Sequence, residues 1–290
     1  MPPYTKQHWL PAGYMKFFAI DGKVEGRNSE VYFTNTAECK VEKVKNLSYA
    51  DFHYSEEDAE GAEKSFHLME NDYPRIIDKI LANEPLKTKE YYGLIVTMID
   101  FHARNASYKN LTDEENYKAF ETVSKELLKL VFKDCTGWEN DLGIISKFLK
   151  DNWEFQPVCS PKEELFSSDH PTLIFSIDDD LGFLFLPINP HYGIIAVDKR
   201  KVKITGKKIN DADNGMLNAY QAYHCIEFVY SNIDLTEMLG DGKPLDTWLN
   251  KDKPRGFVKK DCWRPEFISY PNNMPSEFSF IEVIKQEVDE

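Results

Sequence analysis

The 290-residue chain has no stretch of about 18 uninterrupted apolar residues, and its opening MPPYTKQHWLPAG lacks the basic start and apolar run of a secretion signal. Neither a membrane span nor export is expected, and a cytoplasmic location is. Cysteine is sparse and follows no pairing pattern: Cys39, Cys135, Cys159, Cys225 and Cys262 are widely spaced, odd in number and without a C-x-x-C. Such a set speaks against a disulfide scaffold or a zinc knuckle and fits reduced thiols. Bases are in deficit, 35 against 49 acids for a formal net charge of -14, which disfavours a generic electrostatic grip on phosphate backbones. Nucleic acid is still open as a substrate, because an acidic nuclease can bind through a local basic surface and a metal. There is no P-loop, dinucleotide fingerprint, H-E-x-x-H, G-x-S-x-G or deaminase motif, and Gly240-Asp241-Gly242-Lys243 lacks the spacing and the Ser or Thr of a Walker loop. The cofactor classes with strong signatures are thereby disfavoured.

What the chain does contain is enough apolar material for a sizeable core, with 42% hydrophobic and 13% aromatic residues against 29% charged. Lys16 to Ile20 and Glu30 to Thr34 are β-prone runs flanking a turn with Gly22 and Gly26, and read as a hairpin. Lys40 to Lys45 alternates loosely, as a third short strand or an edge would. Phe66, Met69, Tyr73, Ile76, Ile77 and Ile80 recur at helical spacing over about 58–81, with Pro74 kinking or restarting the helix. A second helix is expected over about 87–106, a third from the capping box Thr112-x-x-Glu115 toward Gly137, and a fourth over about 138–150. Pro157, Pro161, Ser167 and Ser168 then punctuate the chain ahead of strands near 172–177, 181–187, 193–197 and 201–205, whose short connections make them antiparallel. Helix returns over 211–230. The expectation is an α+β fold in which an N-terminal hairpin and helical half pack with an antiparallel β-rich half carrying a late helix. It forms one domain over 1–290, or two lobes divided near 155.

Several landmarks in order resemble the prokaryotic domain-of-unknown-function family four-two-three-eight. They are Gln7-His8-Trp9-Leu10-Pro11 with Tyr14, Phe17 and Phe18, then Glu63 and Glu70 in an acidic helix, and His102-Ala103-Arg104-Asn105 closing another. Ser168-Asp169-His170-Pro171, Leu186-Pro187-Ile188-Asn189-Pro190 and Asn218 follow, so that the resemblance spans roughly residues 7 to 232. The chain departs from the pattern at His102, where Gln is more usual, and in the Leu186 to Pro190 segment. Because genes of this family are associated with phage-defence islands, the resemblance implies a defence effector or sensor.

Five side chains carry the candidate chemistry. His8 is a ligand or general base by its near-neutral pKa, or a clasp that satisfies buried backbone groups. Glu63, His67 and Glu70 stand at i, i+4 and i+7 on one helix face, where a divalent metal or a shared proton could sit, although a solvated face looks the same. Glu70 is retained because it lies nearest the apolar stripe. His102 and Arg104 suit a helix C-terminus as cations, while Arg104 could also grip phosphate or carboxylate through its planar fork. Asp169 could orient a histidine or ligate a metal, or form an Asx turn. Asp178-Asp179-Asp180 reads as an exposed hairpin tip.

As a set, His8, Glu70, His102, Arg104 and Asp169 suggest a nuclease-like hydrolase of antiviral defence, with Glu70 and Asp169 holding magnesium or manganese and nucleic acid as substrate. The rival is a non-enzymatic sensor or binding module for a phage component such as a phage protein, presenting an aromatic surface drawn from Trp138, Trp153, Trp248 or Trp263.

Overall fold

Lys16 to Ile20 is helical, not the first strand of a hairpin. In the computed structural model, which describes residues 6–35, 38–51, 72–104, 113–138, 141–162, 164–177, 180–225, 227–235 and 278–284, Pro11 (φ -63°, ψ 134°) leads into helix α1, Ala12–Met15. Turns of 3₁₀ helix follow at Lys16–Phe18 and Ile20–Gly22. Proline just before a first turn is preorganised for this geometry, and steps of three and four residues send Tyr14, Met15 and Phe18 into the interior together.

The hairpin is displaced by one segment. Strand β2, Glu30–Thr34, pairs antiparallel with β3, Cys39–Lys43, which is the loosely alternating run. On its other side β2 meets β11, Val229–Ser231, and β11 meets β6, Ser167–Ser168, giving the sheet β3-β2-β11-β6. Residues 229–231 are thus strand, not the end of the late helix. The apolar β-branched and aromatic sequence Phe228-Val229-Tyr230 fits an interior strand better than a helix face. Strand β1, Lys6–His8, pairs antiparallel with β4, Tyr49–Asp51.

Helix α2 covers residues 72–81 and contains Pro74; the expected helix over 58–71 and the Thr112 capping box lie outside the described residues. Helices α3, Thr88–Ala103, α4, Asp113–Val131, and α5, Leu142–Asn152, follow. The expected second helix is α3, and the helical spacing of Leu94, Ile95, Met98 and Ile99 puts all four in the core. At its start Glu90 is buried and accepts from Lys79 (2.8 Å), Arg75 (2.6 Å) and the Lys87 amide (2.7 Å). Burial opposes ionisation, yet these donors outweigh it and hold the Glu90 carboxyl at about 2. Asp141 caps α5 by accepting from the Gly143 amide at 2.7 Å.

The second half is built on the antiparallel sheet β5-β9-β8-β7: β5 is Trp153–Cys159, β7 Leu173–Ile177, β8 Asp180–Pro187 and β9 Tyr192–Asp198. A two-stranded pair of β10, Val202–Ile204, and β12, Ile281–Val283, lies apart from it, and α6 is Asp211–His224. Strictly alternating side chains divide the core. Leu184, Leu186, Ile194 and Ala196 join the cluster of Leu94, Met98, Leu127 and Leu149, whereas Phe183, Phe185, Ile195 and Val197 join that of Leu217, Phe278 and Phe280. Burial of both faces explains why β8 and β9 read as continuous apolar runs.

Gly193 marks the tightest point of that sheet. A methyl group placed on it would clash with Cε2 of Phe185, a fully buried ring. Gly193→Ala is therefore expected to lower stability by about 1–3 kcal/mol, measured by urea unfolding. A change within about 0.5 kcal/mol would mean that the ring repacks freely.

Candidate functional site

The last turn of α3 sends three polar side chains inward. Arg104, the C-cap, donates from Nη1 to Asp100 Oδ2 at 3.2 Å and from Nη2 to the carbonyl of His8. His102 Nδ1 meets the carbonyl of Thr172 at 3.0 Å, and His170 Nε2 meets the carbonyl of His102 at 2.8 Å. A carbonyl can only accept, so His102 carries its proton on Nδ1 and His170 on Nε2. The two rings lie 4.1 Å apart between centroids.

Burial sets the electrostatics. His102 is 4% exposed, Arg104 2%, His170 1% and Asp169 0%, so none of these side chains faces solvent. Desolvation pushes His102 well below its usual pKa, and the neighbouring His170 and His224 add to the shift. Burial lowers His170 to about 4, against the opposing pull of the His102 and His224 carbonyls. Both imidazoles are neutral at physiological pH.

Asp169 binds a second segment. Its Oδ2 accepts from the Glu227 amide at 2.8 Å, while its own amide donates to the Phe228 carbonyl at 3.1 Å. Around it, the side chains of α6 fasten the 164–171 strip. Asn218 accepts from the Phe166 amide and donates to the Glu164 carbonyl, and Gln221 accepts from Ser168 and donates to the Pro171 carbonyl. In the Leu186 to Pro190 landmark, Tyr14 donates to the Pro187 carbonyl and sits 3.1 Å from Ser167 Oγ, tying the opening helix to both large sheets.

Above the polar cluster lies a cleft of about 600 Å³ lined by Trp9, Phe33, Lys40, Glu42, Tyr49 and Phe228, among others. Most of its lining comes from residues 33–49, and the rest from the two segments that the cluster holds. Arg104 grips the carbonyl immediately before Trp9, and Asp169 grips the amide immediately before Phe228. Half-buried His8 stands opposite Tyr49 in the β1–β4 ladder, its ring 5.8 Å from the tyrosine's. Lys40 lies 5.5 Å over the Phe33 ring at the other wall.

The fold thus links the segments of His8, His102, Arg104 and Asp169, whereas Glu63, His67 and Glu70 lie outside the described residues, as do Asp178 and Asp179. Among the described residues no three His, Cys, Asp or Glu side chains gather as a metal site would need. Of the four tryptophans singled out for a binding surface, two fall within the described residues. Trp153 is buried, Trp138 packs against Phe132, and 248 and 263 lie outside the described residues. The aromatic wall of the cleft comes from Trp9, Phe33, Tyr49 and Phe228, of which Trp9 stands in the Gln7 to Pro11 landmark.

These features define an α+β protein in which a buried His/Arg/Asp cluster underlies an aromatic cleft. The chain belongs to the family described as a protein of unknown function, DUF4238, which matches residues 6–234 and so includes the whole cluster and cleft. No curated protein and no solved structure matches the chain. Among the described residues no helix is long and apolar enough to cross a membrane.

Proposed function

We propose that this protein is a binding module of antiviral defence, a sensor that takes a short segment of a phage protein into the cleft walled by Trp9, Phe33 and Tyr49. The observation that carries this reading is how Arg104 and Asp169 are used. Each is buried and hydrogen-bonded to backbone of a cleft wall, which is the arrangement of a scaffold that preorganises a recognition surface. A volume of about 600 Å³ suits a few residues of peptide. Aromatic rings give such a segment contact area, and Lys40, Glu42 and Glu227 give it polar partners at the edge. The defence setting rests on the family's association with phage-defence islands.

Expression in phage-sensitive bacteria tests the reading, with Tyr49→Ala as a variant that alters a cleft wall and leaves Arg104 and Asp169 in place. Plaque formation should fall with the native chain and recover with the variant, provided thermal melting shows that both fold. Protection that survives Tyr49→Ala would remove the cleft from the function.

One observation favours a second reading. The half-buried imidazole of His8 stands opposite a residue of the cleft, where a nuclease-like hydrolase acting with magnesium or manganese would need a base. Incubating the purified chain with DNA and RNA, with and without either metal, decides between them. Metal-dependent cleavage that disappears in His8→Ala would establish the hydrolase.

A further inference from the structure

A thiol and an imidazole meet at the far end of β5. Cys159 Sγ lies 3.3 Å from His191 Nε2, and both residues are half-buried. Neither belongs to the polar cluster or to the cleft, and nothing in the sequence pairs them, since 32 positions separate them.

The surroundings fix both partners. The Cys159 amide donates to the Lys207 carbonyl at 2.8 Å and its carbonyl accepts from the Ile209 amide at 2.8 Å, so residues 207–209 clamp the backbone of the thiol. The His191 carbonyl accepts from the Ser160 amide at 2.7 Å. Asn189 Oδ1 accepts from the amides of His191 (2.9 Å) and Tyr192 (2.7 Å), and the imidazole packs edge-on against the Tyr192 ring, 4.4 Å between centroids. A preset sulfur–imidazole contact allows the proton to pass from Sγ to Nε2, leaving a thiolate beside an imidazolium.

The same hydrogen bonds decide which electrophile fits. The amides of Cys159, Ser160, His191 and Tyr192 all point at acceptors within the fold, so none of them forms an oxyanion hole for an acyl substrate. A hydroperoxide needs none, because its leaving oxygen requires only a proton. We propose that Cys159 and His191 form a peroxide-reactive pair in which Cys159 is oxidised to the sulfenic acid by a hydroperoxide. The thiolate attacks the terminal oxygen, the S–O bond forms as the O–O bond breaks, and the departing alkoxide takes the proton from His191 Nε2. Sulfur is oxidised by two electrons, the peroxide is reduced to the alcohol, or to water when it is hydrogen peroxide, and the imidazole returns to its neutral state.

The test treats the full-length chain with hydrogen peroxide in the presence of a sulfenic-acid trap and maps the adducts by peptide mass spectrometry. Cys159 should be trapped faster than Cys39, Cys135 and Cys225, and His191→Gln should slow its trapping on the order of tenfold at pH 7 while thermal melting shows a folded chain. A second readout needs no variant. Alkylation of Cys159 with iodoacetamide should level off below the pH at which an ordinary thiol, with a pKa of roughly 8.5, is still gaining reactivity. Trapping of Cys159 no faster than that of Cys39, Cys135 and Cys225, equal rates in His191→Gln, or an ordinary thiol profile would each overturn the proposal.

Discussion

Replacing Arg104 with methionine is expected to lower stability by about 3–5 kcal/mol, because it leaves the buried carboxylate of Asp100 without this cation and the His8 carbonyl without this donor. Methionine retains much of the apolar volume, so the loss reports charge and hydrogen bonding more than a cavity. Lysine should rescue little, since one ammonium cannot reproduce the two-directional fork that joins α3 to β1. Adding Asp100→Asn to the methionine variant should recover part of the loss. Urea unfolding of the two single variants and the double variant measures the coupling, and additive effects would show that the pair is energetically independent.

Acidification should weaken the fold well before the carboxylates titrate. His170 is held at about 4 in the folded chain, against roughly 6.5 when unfolded, so between these values the unfolded state binds a proton that the folded state refuses. Its contribution is complete above pH 6.5 and is lost as pH falls through 4, amounting to about 3 kcal/mol, with His102 shifted in the same direction. Glu90 acts lower, from its ordinary range down to about 2, so the two effects occupy separate windows. Chemical denaturation at pH 7, 5.5 and 4 should show the decline, and His170→Gln should make it shallower, leaving the part due to His102. A wild-type curve that is level from 7 to 4 would contradict the neutral, buried state of this imidazole.

Elements whose identity depends on local periodicity were legible in the sequence. The stripe of α3 follows from helical spacing and β8 and β9 from continuous apolar runs, because α3 buries one face and the two strands bury both. Pairing was less legible. Residues 16–20 have strand-like composition but sit after Pro11, whose geometry starts a helix, and so β2 turned to β3. Strand β5 was hidden by Pro157, which ordinarily punctuates a chain yet is tolerated on the edge of a sheet. The candidate site shows the same boundary. Arg104 and Asp169 could be recognised as unusual polar residues, but nothing in their neighbours separates a group facing substrate from one holding a carbonyl or amide inside the protein. The cleft needed residues 9, 33, 49 and 228 to meet, and Cys159 with His191 is another long-range coincidence.

The position of Pro157 also bears on self-association. A sheet that ends in an apolar strand offers a template for another chain, and β5 is such an end. Pro157 removes one amide donor from that border, while residues 207–209 already occupy the hydrogen-bonding groups of Cys159. On the other large sheet, the outer strand β3 carries Lys40, Glu42 and Lys43. A further strand added at either of these two borders would therefore meet a missing donor or a row of charges.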